Sequence, residues 1–254
     1  MSKLRYRVAD VFRAGWNEYS RSHPIPFQIE KTVRHILTCR TAELGGHLYR
    51  CDQCGSEVPL YNSCRDRNCP GCQTAAKEAW LDQRFCELLP VRYFHVVFTL
   101  PHDLNKLLAA NRRTLINELF QTVNWVLTHF GRDPQWKLEG QVGFLAVLHT
   151  WNQKLLPHYH IHCLVPGGAW DPERKLWRHS HPRYLFGHNA LKKAFRDRFV
   201  KRLNALRKQG KLVFEHAAAP LATDDEWSRL MNRLAKVKWM VYPKATTARP
   251  EQVL

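Results

Sequence analysis

PHYHIHCLV, residues 157–165, is the stretch whose reading decides the fold. In an extended strand successive side chains alternate between the two faces. His158, His160, His162 and Leu164 therefore share one face, and Tyr159, Ile161, Cys163 and Val165 share the other. The second set is apolar and turns towards a core. The first set places imidazoles at i and i+2, where two of them can grip one divalent ion. With 14 histidines in the chain a His-x-His pair also arises by chance, as a solvent-facing run on a basic surface. Context favours the ion, because the residue between the histidines is bulky and apolar and the strand is bounded by Pro157 and Gly167.

Outward from this strand, 93–100 (YFHVVFTL) reads as a buried strand closed by Pro101. Residues 141–148 read as a third strand, 175–177 as a short one and 236–242 as the last. Gly167-Gly168 reads as a turn. Apolar residues at helical spacing predict helices over 103–130, 189–208 and 224–234. Upstream, helices are expected over 8–19, 27–39 and 74–89, and 48–72 is turn-rich with short strands. The class is α+β with an antiparallel sheet, preceded by a small helix-containing zinc module. The boundary falls near residue 90, giving domains 1–90 and 91–254.

Five of the eight cysteines crowd between Cys51 and Cys72. Cys51-x-x-Cys54 and Cys69-x-x-Cys72 are separated by 14 residues, and two such turns supply the tetrahedral thiolate set of a structural Zn²⁺. Cys64 is a fifth candidate, and Cys39 and His47 lie upstream. One of these could replace a member of the set or build a second site, although Cys64 reads more readily as a small buried neighbour. Cys86 and Cys163 read as core cysteines.

Lysine and arginine outnumber carboxylates 39 to 22, for a net charge of +17 over 254 residues. Such an excess favours a polyanion, because neutralising phosphates releases counterions. Between Lys192 and Lys211 there are nine basic residues and one acidic residue. Lys192, Lys193, Arg196, Arg198, Lys201, Arg202, Arg207 and Lys208 form the candidate DNA surface there, with a solvated helix face as the plain alternative. Trp151, Trp170 and Trp177 could stack on unpaired bases or pack in the core. No apolar run is long enough for a membrane span, and no signal-peptide pattern opens the chain, so the expected compartment is the cytoplasm. The oligomeric state is not readable. A metal-dependent hydrolase is disfavoured, since no Asp or Glu stands near the histidines to act as base.

Several blocks together resemble a known family. They are CRTAELGGHLYRCDQCG at 39–55, YNSCRDRNCPGCQ at 61–73, FTLP at 98–101, LHTWNQ at 148–153, PHYHIHCLVPGG at 157–168 and PEQVL at 250–254. In this order they resemble the transposases of the insertion-sequence ninety-one family, which carry an N-terminal zinc-binding domain and belong to the HUH endonucleases. The resemblance implies an HUH-type antiparallel sheet flanked by helices, and rolling-circle, single-strand transposition. It implies that His160 and His162, with His158 beside them, serve a Mg²⁺ or Mn²⁺ that polarises the scissile phosphate while a tyrosine attacks. His149 and Gln153 are candidates for a third ligand. The implied partner is single-stranded or hairpin DNA at element ends.

Two departures stand out. Asn68 sits where the family has histidine, and the family's nucleophilic tyrosines follow the PEQVL text, where this chain stops. The chain is therefore expected to be truncated before its nucleophile and inactive alone in covalent nicking. The alternative reading is a zinc-dependent DNA-binding module without catalysis.

Overall fold

The computed structural model describes residues 6–246, so the PEQVL text at 250–254 lies outside the described residues. The chain divides into two compact units, Met1–Glu87 and Leu88–Leu254.

The first unit holds α1 (Val8–Ser22), α2 (Phe27–Thr38), a hairpin of β1 (Gly46–Arg50) and β2 (Glu57–Tyr61), and α3 (Pro70–Cys86). The Asp10 carboxylate accepts the Arg7 backbone N–H at 2.8 Å and closes a capping box on α1. Pro70 at the first turn of α3 suits the position, where an N–H would have no partner. Among the described residues of this unit only Val33, Ile36 and Cys69 are buried. Every residue of the β1–β2 hairpin is exposed. So little apolar burial leaves the fold short of stabilising energy unless a metal supplies it. Cys86, expected in a core, is exposed because it ends a helix that buries little.

The second unit holds β3 (Tyr93–Thr99), α4 (Asn105–Ala110), α5 (Arg112–Arg132), β4 (Leu145–Trp151), β5 (Pro157–Pro166), β6 (Gly168–Asp171), β7 (Leu176–His179), α6 (His188–Lys208), α7 (Asp224–Lys236) and β8 (Met240–Ala245). A four-stranded antiparallel sheet runs β4-β5-β3-β8. One face carries Tyr159, Ile161, Cys163 and Val165 of β5 with Phe94, Val96 and Phe98 of β3, all buried. The helices cover that face. Phe195 of α6 meets Phe98 edge-on at 5.1 Å and Trp239 at 5.4 Å. Leu115, Leu119, Val123, Val126 and Leu127 of α5 complete the core.

Two expectations shift. The third strand begins at Leu145 rather than 141, because Gln141 bridges instead to Trp170, exchanging both backbone hydrogen bonds at 2.7 and 2.9 Å. Gly168, expected in a turn, opens β6. A Cβ there would lie 2.4 Å from the Arg178 carbonyl oxygen and 2.5 Å from Trp177 Nε1, so only glycine lets the β6–β7 hairpin close.

Glu118 is one of two buried carboxylates among the described residues, the other being Asp171 on β6. The Glu118 carboxylate accepts two hydrogen bonds from Arg202, Nε at 3.0 Å and Nη2 at 3.1 Å. Glu118→Ala should cost about 3 kcal/mol in urea unfolding, since it strands a guanidinium at the α5–α6 seam. Asp197→Ala, which removes an exposed pairing with Lys193 and Arg196, should cost under about 1 kcal/mol.

Candidate metal centres

In the first unit Cys39, Cys64, Cys69 and Cys72 place their sulfurs within 4.8 Å of one another. Cys39 follows α2, Cys64 follows β2, and Cys69 and Cys72 sit at the N-cap and first turn of α3. Sulfur separations of 3.5 Å (Cys39–Cys72) and 3.6 Å (Cys64–Cys72) approach the ~3.8 Å edge of a ZnS₄ tetrahedron with 2.3 Å bonds. The donor set and spacing fit a structural zinc. The helix N-terminus favours thiolate at Cys72. Burial raises the Cys72 thiol, but hydrogen bonds from Cys39 and Cys64 outweigh it and bring the group to about 7. Burial drives Cys64 the other way, well above its usual range. Beside the cluster, Asp66 accepts from Asn68 N–H at 2.8 Å and pairs with His35 at 2.8 Å, which pins the loop against α2.

The sulfurs that converge are not those of the two C-x-x-C turns expected from spacing. Cys51 and Cys54 are exposed in the β1–β2 turn and stand outside the group, with Cys54 Sγ 2.9 Å from Ser56 Oγ. The physical reason is the hairpin. Its base is tied by Arg40 N–H to Asn62 O and Asn62 N–H to Gly45 O, both at 3.0 Å. That closure brings Cys39 and Cys64 together and carries the 51–54 turn to the far end. Cys64 is a member of the cluster rather than a bystander, Cys39 joins it, and His47 does not.

In the second unit His149, His160 and His162 bring one nitrogen each within 4.8 Å. The register explains it, since His149 of β4 lies opposite His160 of β5, and His162 follows two residues on along the same face. Ring centroids are 4.4 Å (His149–His162), 4.9 Å (His160–His162) and 5.2 Å (His149–His160) apart. His160 Nδ1–H donates to the His158 carbonyl at 3.0 Å, which leaves its Nε2 lone pair free. His162 Nδ1 is held at 2.7 Å from His95 Nε2, and its own Nε2 is buried without a partner. Burial, then neighbouring histidines, lowers His162 to about 4. Burial likewise lowers His158 and His160. Neutral imidazoles are what a metal requires. His158 stacks on His102 at 5.1 Å and falls outside the triad. Gln153 lies in the β4–β5 turn, so His149 is the third donor that the geometry supplies. His95 was not singled out in the sequence. Its signal was a lone polar residue inside an apolar strand.

The face bearing these histidines is open. Val147, Trp151, Met240 and Tyr242 on it are exposed, and Tyr242 shares a row with Val97 and His162. The basic helix α6 packs on the opposite face. Of its candidate DNA residues, Arg202 is committed to Glu118, Arg198 lies over Trp125 at 4.7 Å, and Arg207 pairs with Asp224 and covers Trp227 at 4.9 Å. Lys193 and Arg196 hold Asp197. Among the described residues Lys192, Lys201 and Lys208 make neither an ion pair nor a ring contact, and they stand across the sheet from the triad.

These features define a protein with a four-cysteine cluster suited to structural zinc in one unit and a convergent histidine triad in the other. Residues 11–100 match the family model described as "Transposase zinc-binding domain", and residues 143–254 match the one described as "Putative transposase". The two matched regions together span most of the chain, and both models and both relatives are those of transposases. It is 39% identical over 258 residues to "Putative transposase y4qJ" of Sinorhizobium fredii (strain NBRC 101917 / NGR234), covering 100% of this chain and 64% of that protein. It is 33% identical over 151 residues to "Transposase for insertion sequence element IS801" of Pseudomonas savastanoi pv. phaseolicola, covering 58% of this chain and 35% of that protein. No solved structure matches the chain. No helix among the described residues is long and apolar enough to cross a membrane.

Proposed function

We propose that the second unit is the DNA-cleaving part of a single-strand transposase, acting in the cytoplasm by tyrosine transesterification. The carrying observation is the His149–His160–His162 triad on an open sheet face, with His162 Nε2 buried and unpartnered. A divalent cation held there would polarise a phosphate oxygen and orient the backbone for in-line attack. The chain's own residues prepare the site for the ion and the strand. His160 presents a neutral Nε2 lone pair because its Nδ1–H is committed to the His158 carbonyl, and His162 Nε2 is buried with no other partner. Trp151, exposed beside His149, offers a stacking surface for an unpaired base. Lys244, on the same face opposite His95, adds positive charge for phosphate. Attack by a tyrosine hydroxyl exchanges one phosphodiester for a phosphotyrosine and a free 3′ hydroxyl, so the step is reversible and needs no external energy. The zinc module of the first unit supplies further DNA contacts in this reading.

Titration with a single-stranded oligonucleotide and with a hairpin across salt concentrations tests the partner. Affinity should fall with a log–log slope of about 0.7 per phosphate contacted on single strands. Trp151→Ala should weaken single-strand binding by ~1–3 kcal/mol while leaving the slope unchanged, because stacking carries no charge. A flat salt response would overturn nucleic acid as the partner.

A further inference from the structure

We infer that His95 is a positioning residue for the metal centre: it holds His162 in the tautomer that can take a cation. The inference rests on the metal-site reading above and goes beyond it by a residue outside the triad. His95 lies on β3, two positions from Val97, which pairs with His162 in register. Its ring stacks on that of His162 at 4.9 Å and 10°, with Nε2 2.7 Å from His162 Nδ1.

A neutral pair has one proton on that bond. With the proton on His162 Nδ1, His95 accepts, and His162 Nε2, buried without a partner, keeps a lone pair for a cation. With the proton on His95 Nε2, His162 must carry its own hydrogen on Nε2, where it is buried with no acceptor and blocks a cation. The neighbouring ligand has no such ambiguity, since a carbonyl can only accept and so fixes the hydrogen of His160 on Nδ1. Cation binding therefore selects the arrangement in which His95 accepts. His95 touches no ion itself, because its Nε2 is spent on His162. Partners of this outer kind fix ring orientation and raise ligand basicity.

The experiment compares the wild-type chain with His95→Leu and His95→Gln. Glutamine places a carbonyl oxygen near the Nε2 position and can accept from His162; leucine cannot. Mn²⁺ affinity is read from the free-ion electron paramagnetic resonance signal, and the tautomer of His162 from ¹⁵N shifts of metal-free, histidine-labelled protein. His95→Leu should weaken Mn²⁺ binding roughly 10- to 100-fold and shift His162 towards the Nε2–H form, while His95→Gln restores both. Circular dichroism confirms that both variants fold, and glutamine rescue excludes a packing defect. Unchanged affinity and an unchanged His162 tautomer in His95→Leu would overturn the inference. If wild type binds no more Mn²⁺ than His149→Ala, the metal reading itself fails, while the ¹⁵N comparison still tests the coupling of His95 to His162.

Discussion

Cys39→Ser and Cys64→Ser should each release the zinc and unfold the first unit, whereas Cys51→Ser should leave one zinc bound and the unit folded. The contrast follows from which sulfurs converge. Cys39, Cys64, Cys69 and Cys72 stand at tetrahedral-edge spacing, and Cys51 and Cys54 are exposed in the hairpin turn. The effect should be large, because three buried residues are all the core this unit has among its described residues. Structural zinc contributes on the order of 10–16 kcal/mol of apparent free energy in small modules at neutral pH, and losing one of four thiolates forfeits much of it. The readouts are zinc content of untagged protein and the thermal unfolding of the first unit. Loss of zinc in Cys51→Ser, with retention in Cys39→Ser, would return the site to the paired C-x-x-C arrangement.

That outcome turns on a feature that spacing could not reveal. Two C-x-x-C turns read as one four-ligand site because sequence proximity stands in for spatial proximity. A β-hairpin inverts this: residues just outside its two ends meet, as Cys39 and Cys64 do, while residues at its turn are carried off. The second unit was more legible. Period-2 alternation in 157–165 named both the core face and the histidine face, since a strand has only two faces. It could not show which strands flank it, so His149 stood level with Gln153 until the β4–β5 register placed it opposite His160. His95 was hidden because its strand is otherwise apolar. The α6 residues show the opposite error. The helix and its apolar stripe were readable from Phe195, Phe199, Leu203 and Leu206. Its arginines looked free, because Glu118 lies 84 residues from Arg202 and no local pattern links them.

The triad makes a prediction about metal identity as well as affinity. Mn²⁺ should bind the wild-type chain more tightly than Mg²⁺, and His149→Ala, His160→Ala and His162→Ala should each weaken Mn²⁺ by more than the 10- to 100-fold typical of losing an outer-sphere partner. Three imidazoles bring no negative charge and no oxygen. Mg²⁺ prefers oxygen ligands and gives up its waters reluctantly, whereas imidazole suits the softer ions. Affinity should stay modest until a phosphate enters, because three ligands leave coordination positions open and the shell lacks an anion. Adding a single-stranded oligonucleotide should therefore tighten Mn²⁺, and by linkage Mn²⁺ should tighten the oligonucleotide by the same factor. Calorimetric titration of Mn²⁺ with and without the oligonucleotide measures both sides of this cycle. His158→Ala separates the centre from its surroundings. Its ring stacks on His102 and lies 4.8 Å from that of His160, but its nitrogens are not among the three that converge, so Mn²⁺ affinity should change little in that variant. If His158→Ala instead matches His160→Ala, the ligand set is the three histidines of β5, and His149 loses its place. If none of the four substitutions moves Mn²⁺, the histidine face is a surface for DNA without a metal.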